Sequence, residues 1–321
     1  MKRIALIIGL LFSTGVIAQQ VNYKILSDDP KNVKAFSLSL EPFYCDLSTI
    51  DIHMGWQVRA DLLILKRMEV RGDFRKAYLD INGNNTGPST DPTPVNGVKP
   101  AWYGEAGVSL FLFDKVRKTQ TKLVLSQRTS GNYTYTKYIM IPAMKRKMFG
   151  IRGGIYNYRV AMELDSKNSA FFTMKSENGT IVKNTADANT VSMYFTSSIY
   201  GGLHWKSIID VVAQTDYGKK KVGAMSDFYI DVLFSPVVQF GNVTQSNTTY
   251  SLDPNNDKLK RIGWRAGWQV RHPNKVWLSC KAEFGARPGF KSTDKIGFDS
   301  ERIYMMFSVG INIPAGKKKE K

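Results

Sequence analysis

Between Val191 and Ala213 the chain alternates apolar and polar side chains without a helical break. Val191, Met193, Phe195, Ile199, Leu203, Trp205, Ile209, Val211 and Ala213 hold the odd positions. Ser192, Tyr194, Thr196, Ser198, Tyr200, His204, Lys206, Asp210 and Gln214 hold the even ones. Successive side chains of a β-strand point to opposite faces, so this segment has one greasy face and one wet face. The run is several times the roughly five to six residues of an ordinary strand. Long strands with a lipid-like face and a wet face are what a transmembrane β-barrel requires.

The same pattern recurs in shorter form. One parity collects Ile50, Ile52, Met54, Trp56, Val58, Ala60, Leu62 and Ile64, opposite Asp51, His53, Gln57, Arg59 and Asp61. Further runs cover 68–78, 102–112, 228–240, 262–271, 276–287 and 303–313, with weaker ones at 35–46, 118–127, 133–144 and 148–163. No apolar period of 3.6 persists after the first twenty residues, which predicts an all-β chain. With 190–214 as one strand, the reading is an antiparallel transmembrane β-barrel of about twelve strands. Fourteen would follow if 164–189 held another hairpin. Long connections at 80–100, 164–189, 241–259 and 288–301 alternate with short ones at 66–67, 114–117, 145–147 and 272–274. Bacterial barrels have this asymmetry, with long outer loops and short periplasmic turns, which places the C-terminus in the periplasm. The connection 215–225 fits that scheme least well.

The ends set the compartment. Lys2 and Arg3 precede an apolar stretch from Ile4 to Phe12, and Val16-Ile17-Ala18 forms a small-residue cleavage site, so residues 1–18 read as a secretory signal. Residues 19–34 then form a periplasmic N-terminal segment, 35–313 the barrel, and 314–321 a basic tail. No later stretch is long and apolar enough for a membrane helix. An exported chain that crosses lipid must then do so as a closed sheet. The net charge of +18 becomes +16 once Lys2 and Arg3 are removed, with 43 basic against 27 acidic residues. Export argues against a nucleic-acid partner, and no zinc-finger, phosphate-loop or dinucleotide-binding spacing is present.

The wet parity carries Arg59, Arg71, Arg75, Lys122, Lys206, Arg261, Arg265, Arg271, Lys281, Arg287 and Arg302. Against them stand Asp51, Asp61, Glu69, Asp73, Glu105, Asp210, Asp227, Asp231 and Glu283. Eleven against nine is near balance, and charges of both signs in a low-dielectric tube pair across strands. The expectation is a lumen ion-pair network built on Arg59, Asp61, Arg71, Asp73, Arg75, Asp210, Asp227, Asp231, Arg261, Arg265, Lys281 and Glu283. The surplus charge falls in clusters assigned to periplasmic turns and the tail: Lys145-Arg146-Lys147, Lys219-Lys220-Lys221 and Lys317-Lys318-Lys319. These form a candidate docking face for an acidic periplasmic protein or the cell-wall polymer.

Enzyme chemistry finds little support. His53 shares a face with Asp51, and His204 with Lys206, but no nucleophile or zinc-protease motif accompanies them. No metal-ligand cluster or cofactor motif is legible, so no catalytic, metal or cofactor residues are assigned. Cys45 falls on the wet parity and Cys280 on the greasy one, which predicts two unpaired thiols. Trp56, Trp102, Trp205, Trp264 and Trp268 sit on the greasy parity. In a barrel they form interfacial girdles; in a soluble secreted β-sandwich, the structural alternative, they would be core.

The Ala-Gln-Gln start after the signal, the strands Arg152-Gly153-Gly154-Ile155-Tyr156 and Tyr200-Gly201-Gly202, and the Trp264–Trp268 strand resemble small outer-membrane barrel proteins of Bacteroidota. That resemblance implies either a passive porin or an accessory of an envelope machine such as the type IX secretion and gliding apparatus. Such barrels usually stop on an aromatic residue, whereas here Ile313 is followed by Pro314 and the basic tail. With the balanced lumen, this favours a non-enzymatic outer-membrane accessory barrel over a porin-like channel.

Overall fold

The computed structural model describes residues 21–48, 52–64, 67–80, 93–94, 99–164, 172–176, 178–179, 181–182, 190–245, 248–254, 259–290 and 303–316. Every regular element in them is a β-strand. After β1 (Tyr23–Asp28), ten strands follow one another around a ring: β2 (Phe36–Ser48), β3 (Ile52–Ile64), β4 (Met68–Asp80), β5 (Trp102–Ser130), β6 (Tyr133–Leu164), β7 (Thr190–Thr215), β8 (Gly218–Phe240), β9 (Ile262–Arg271), β10 (Trp277–Ala286) and β11 (Ile303–Ala315). Each pairs antiparallel with the next, and β11 pairs back onto β2. A closed sheet has no exposed edge in its ring, so it can stand without a second layer. β1 lies outside the ring, on the edge of β7.

The two faces of this sheet invert the pattern of a water-soluble protein. Trp268 is 52 % exposed and Ile262 59 %, while Arg59, Asp231 and Arg265 are 0 %. A β-sandwich would bury those apolar residues between sheets. Here one sheet curls onto its own polar face, and the sandwich alternative is ruled out for the described residues.

Ten strands replace the expected twelve for one reason; the hairpin that would have made fourteen, at 172–176 and 181–182, belongs to a separate sheet. Segments 114–117 and 145–147 are polar and basic but do not turn: Lys115 pairs with Lys147 and Arg117 with Lys145. The runs at 102–112, 118–127, 133–144 and 148–163 are therefore two long strands, β5 and β6, joined at Gly131-Asn132, where Gly131 has φ +56°. The connection 215–225 is likewise a tight turn at Asp216-Tyr217, closed by Gly218 at φ +91°. Charge content misled the reading at both places, because lysines sit as well on the exposed face of a ribbon as in a turn. A bulge between Glu41 and Tyr44 shifts parity in β2. It moves Cys45 to the outward face, not the wet one, opposite Phe307 and Met54. Cys45 and Cys280 are both free thiols.

At the loop end, short strands at 93–94, 172–176, 181–182, 243–245 and 248–254 form a small separate sheet. Its Val243 and Leu252 are buried against Tyr158, Val160 and Tyr194 of the barrel strands. At the turn end, β5–β6 and β7–β8 run on past the ring as two ribbons. Their outward-facing parity becomes buried there: Leu123, Leu125, Ile141, Ala143, Val211 and Ala213 pack together, with Ile25 of β1 against them. The ribbons thus fold their outer faces onto each other. β1 extends the β7 edge, and the Asp28 carboxylate accepts the Met144 N–H at 2.8 and 2.9 Å.

This cluster predicts separable stability. Leu125→Ala should cost the ribbon pair about 2–5 kcal/mol through the cavity it leaves, while the barrel keeps its fold. Limited proteolysis should then cut faster near Gly131 and Asp216 and spare the strands of the ring. An unchanged cutting rate would show that something else holds the ribbons together.

Candidate functional site

The lumen is occupied by side chains of the inward parity. Among the described residues, ten acidic and ten basic side chains are buried. All but Arg146 and Asp210 form three connected groups. Towards the turn end, Asp61 binds Arg71 at 2.6 Å and also Arg271. Arg71 reaches Glu69 at 2.9 Å, and Lys206 contacts both Glu69 and Asp227. His204 lies between the Ser109 hydroxyl at 3.0 Å and Asp227 at 3.1 Å. In the middle, Arg59 binds Glu41 at 2.7 Å, Lys281 binds Asp73 at 2.9 Å, and Gln57 donates to both oxygens of Asp73. Arg75 lies near Asp73 and Glu283, with its guanidinium 3.8 Å from the centre of the Tyr103 ring.

The third group faces the loop end. Arg265 grips Glu105 with both terminal nitrogens at 2.8 Å and gives its Nε–H to Asp231 at 2.8 Å. Arg152 bridges the same two carboxylates, at 2.6 and 3.3 Å. Arg287 pairs with Asp46 and stacks on Tyr304, its guanidinium 3.7 Å from the ring centre. Planar bidentate pairing combined with stacking on aromatic faces is where arginine outperforms lysine.

Of the twelve residues proposed for a lumen network, the structure brings ten into this system: Arg59, Asp61, Arg71, Asp73, Arg75, Asp227, Asp231, Arg265, Lys281 and Glu283. Asp210 sits at the turn-side mouth, accepting from Asn274 Nδ2 at 2.7 Å with Lys221 at 3.7 Å. Arg261 is apart, donating to the carbonyl oxygens of Ser235 and Pro236 at the loop-side rim. Glu41, Asp46 and Arg152 were missed. The bulge in β2 scrambles the alternation around the first two. Arg152 sits between inward glycines 150 and 154, which give parity no signal.

Glu69, His204 and Asp227 hold potential ligand atoms within 4.8 Å of one another. The Lys206 ammonium already lies on both carboxylates and fills the position a cation would take. His53 is buried in the lumen, whereas Asp51 and Arg302 lie outside the described residues. Lys122 lies on the β5–β6 ribbon with its ammonium 3.9 Å from the centre of the Tyr138 ring, not in the lumen.

The turn-side mouth is closed by the chain that precedes β2. Ala35 O accepts the Leu63 N–H at 2.7 Å, Lys34 N donates to Asn274 Oδ1 at 2.9 Å, and Lys34 Nζ donates to Pro314 O at 3.0 Å. Val33 packs with Phe111, Met148, Ile208 and Met225. Beside them His272 accepts the backbone N–H groups of Asn274 and Lys275 at Nδ1. Burial, with Lys221 and Lys275 adding repulsion, pushes the His272 imidazole down to about 4.

The basic clusters are only partly a face. Lys219 and Lys221 are exposed just past the Asp216-Tyr217 turn, and Lys220 is half-buried. Lys145-Arg146-Lys147 lies within β6, not in a turn. Its central Arg146 is buried and forms a two-pronged pair with Asp114 at 2.8 Å. Those hydrogen bonds hold the Asp114 carboxyl below its ordinary range. Lys317, Lys318 and Lys319 lie outside the described residues.

No family model and no curated protein matches the chain. Among solved structures, the outer-membrane expressed OmpT of Vibrio cholerae is 9 % identical, with 90 % of this chain and 99 % of that chain covered and a TM-score of 0.18. The in-vitro folded OmpT of Vibrio cholerae gives the same values. Overlap this slight transfers no residue role, so the site is read from its own geometry.

Two outcomes follow. Arg265→Met would leave Glu105 and Asp231, both buried, short of a partner and should cost about 3–5 kcal/mol, seen as an earlier unfolding transition in detergent. His272 is held neutral in the fold while its unfolded pKa is near 6.5, so the unfolded chain binds more protons between those limits. Its contribution is present above pH 6.5 and is lost as pH falls through about 4. The thermal midpoint should fall over that window, and His272→Asn should flatten the profile.

Proposed function

We propose that this chain is a non-enzymatic outer-membrane β-barrel with an occluded lumen, serving as an interaction or accessory component of an envelope assembly such as a secretion or gliding apparatus. The membrane reading is supported by the apolar outer face and by aromatic rings at its two limits. Trp56, Phe74, Trp102 and Phe195 contact one another in series towards the loop end. Phe113, Phe149, Trp205 and Phe228 do so towards the turn end. Trp102 and Phe113 are eleven positions apart on β5. That is roughly 36 Å along a strand, or about 28 Å along the axis at the usual tilt of ~40°. The apolar band of outer-membrane barrels is about that tall.

The observation that carries the functional reading is the filled lumen, with cancelling charges along its length and cover at both mouths. A solute channel needs a continuous wet path. In the expected orientation the short turns, both ribbons and the C-terminus face the periplasm, and the small loop sheet faces outward. The exposed lysines at 219 and 221 then sit near a ribbon tip, available to an acidic periplasmic protein or the cell-wall polymer. The partners are lipid and such an acidic surface; no nucleic acid is involved.

Single-channel recording in a planar bilayer tests this reading. The protein should insert and remain silent. Steady, voltage-independent openings would establish the porin-like alternative.

A further inference from the structure

On the turn side of the barrel, the outward face of β5 and β6 changes abruptly from aromatic to cationic. Phe113 and Phe149 are cross-strand partners with ring centroids 6.1 Å apart, and Phe149 meets Trp205 at 5.0 Å. The next outward pair is Lys115 opposite Lys147, followed by Arg117 opposite Lys145. Like charges directly opposite each other destabilise a ladder, and here two such pairs come in succession. Among the described residues, no carboxylate forms an ion pair with Lys115, Arg117 or Lys147. The neighbouring acid, Asp114, is engaged by Arg146 at 2.8 Å. The three cations and three aromatics line one outward-facing hollow of about 330 Å³, which Met148 completes.

We infer that this hollow binds the phosphate headgroup of an anionic phospholipid. Lys115, Arg117 and Lys147 surround the phosphate, and Phe113, Phe149 and Trp205 lie against the glycerol and the start of the acyl chains. The inference rests on the membrane reading above, which puts the aromatic ring at the lipid boundary and the cations one step beyond it. A bound anion would turn two repulsive cross-strand pairs into a shared site. A solvated basic face accounts for neither the facing like charges nor the aromatic floor. A free anion would leave that floor unused, and an acidic peptide would have no call on a site that opens sideways into the lipid boundary.

The test reconstitutes the full chain into phosphatidylcholine bilayers with or without phosphatidylglycerol and reads retained lipid by native mass spectrometry. Each cation near an anionic lipid surface contributes about 1 kcal/mol, so the wild type should retain phosphatidylglycerol on the order of ten- to a hundredfold over phosphatidylcholine. The triple variant Lys115→Gln, Arg117→Gln, Lys147→Gln should lose that preference. In pure phosphatidylcholine the same variant should melt no earlier than the wild type, because it relieves the like-charge pairs, and this separates a lost ligand from a lost fold. Equal retention of the two lipids by the wild type would overturn the site, as would a preference that survives the triple variant. Full competition by inorganic phosphate would make it a simple anion site, and stronger retention of lipid A would reject a phospholipid ligand. A chain that inserts into neither bilayer would refute the membrane reading itself, and the headgroup site would fall with it.

Discussion

Everything inside the ring depends on mutual neutralisation of buried charge. A closed single sheet must place half its side chains in a narrow interior, and this chain fills that interior with ionised groups instead of a second apolar layer. Removing an ion from water costs several kcal/mol even after relaxation, and only close opposite charges with good hydrogen bonds offset it. Hence many of these groups have more than one partner. Arg265 serves Glu105 and Asp231, both of which Arg152 also contacts, and Asp61 serves Arg71 and Arg271. Space is apportioned as tightly as charge. A Cβ at Gly107 would lie 2.0 Å from the Tyr200 hydroxyl, so the glycine is the room that lets Tyr200 stand beside Arg152.

The same alternation has a different use past the turn-side rim. Within the ring, the outward parity meets the surroundings, as at Ile199, which is 54 % exposed. Beyond it, on the same strands, Val211 and Ala213 are fully buried against the facing ribbon. What changes is the number of neighbours: the ring holds its strands side by side, whereas a two-stranded ribbon is free to twist strongly. Twisting brings the outer faces of β5–β6 and β7–β8 together, and β1 supplies strand pairing where the β7 edge would otherwise lie open.

Much of this architecture was legible in the period-2 pattern. The strand from 190, the closed all-β design and most of the paired lumen charges follow from parity alone. Three things did not. The strand count failed because alternation says where a face lies, not whether a basic patch such as Lys145-Arg146-Lys147 bends the chain. Glu41 and Asp46 were missed and Cys45 was misplaced because one bulge resets parity without any marker in composition. The greasy residues of the ribbons were indistinguishable from lipid-facing ones, because burial against protein and against lipid select the same side chains.

Balance inside the ring also determines where the surplus charge goes. The chain carries a formal +18, and among the described residues the buried ionisable side chains contribute almost nothing to it, since acids and bases are equal in number. Among the described residues the excess is therefore a property of the surface. Its placement is not uniform: from Leu112 to Lys147 the only acid is Asp114, and it is already spent on Arg146. Along this stretch the sequence withholds the carboxylates that would neutralise a solvated lysine face elsewhere. A barrel that had only to be stable and soluble at its rim would intersperse both signs. On the membrane reading proposed above, a one-signed rim beside an aromatic ring instead places a positive field where lipid phosphates gather, and an occluded lumen would leave such outer surfaces as the parts of the molecule that can do work.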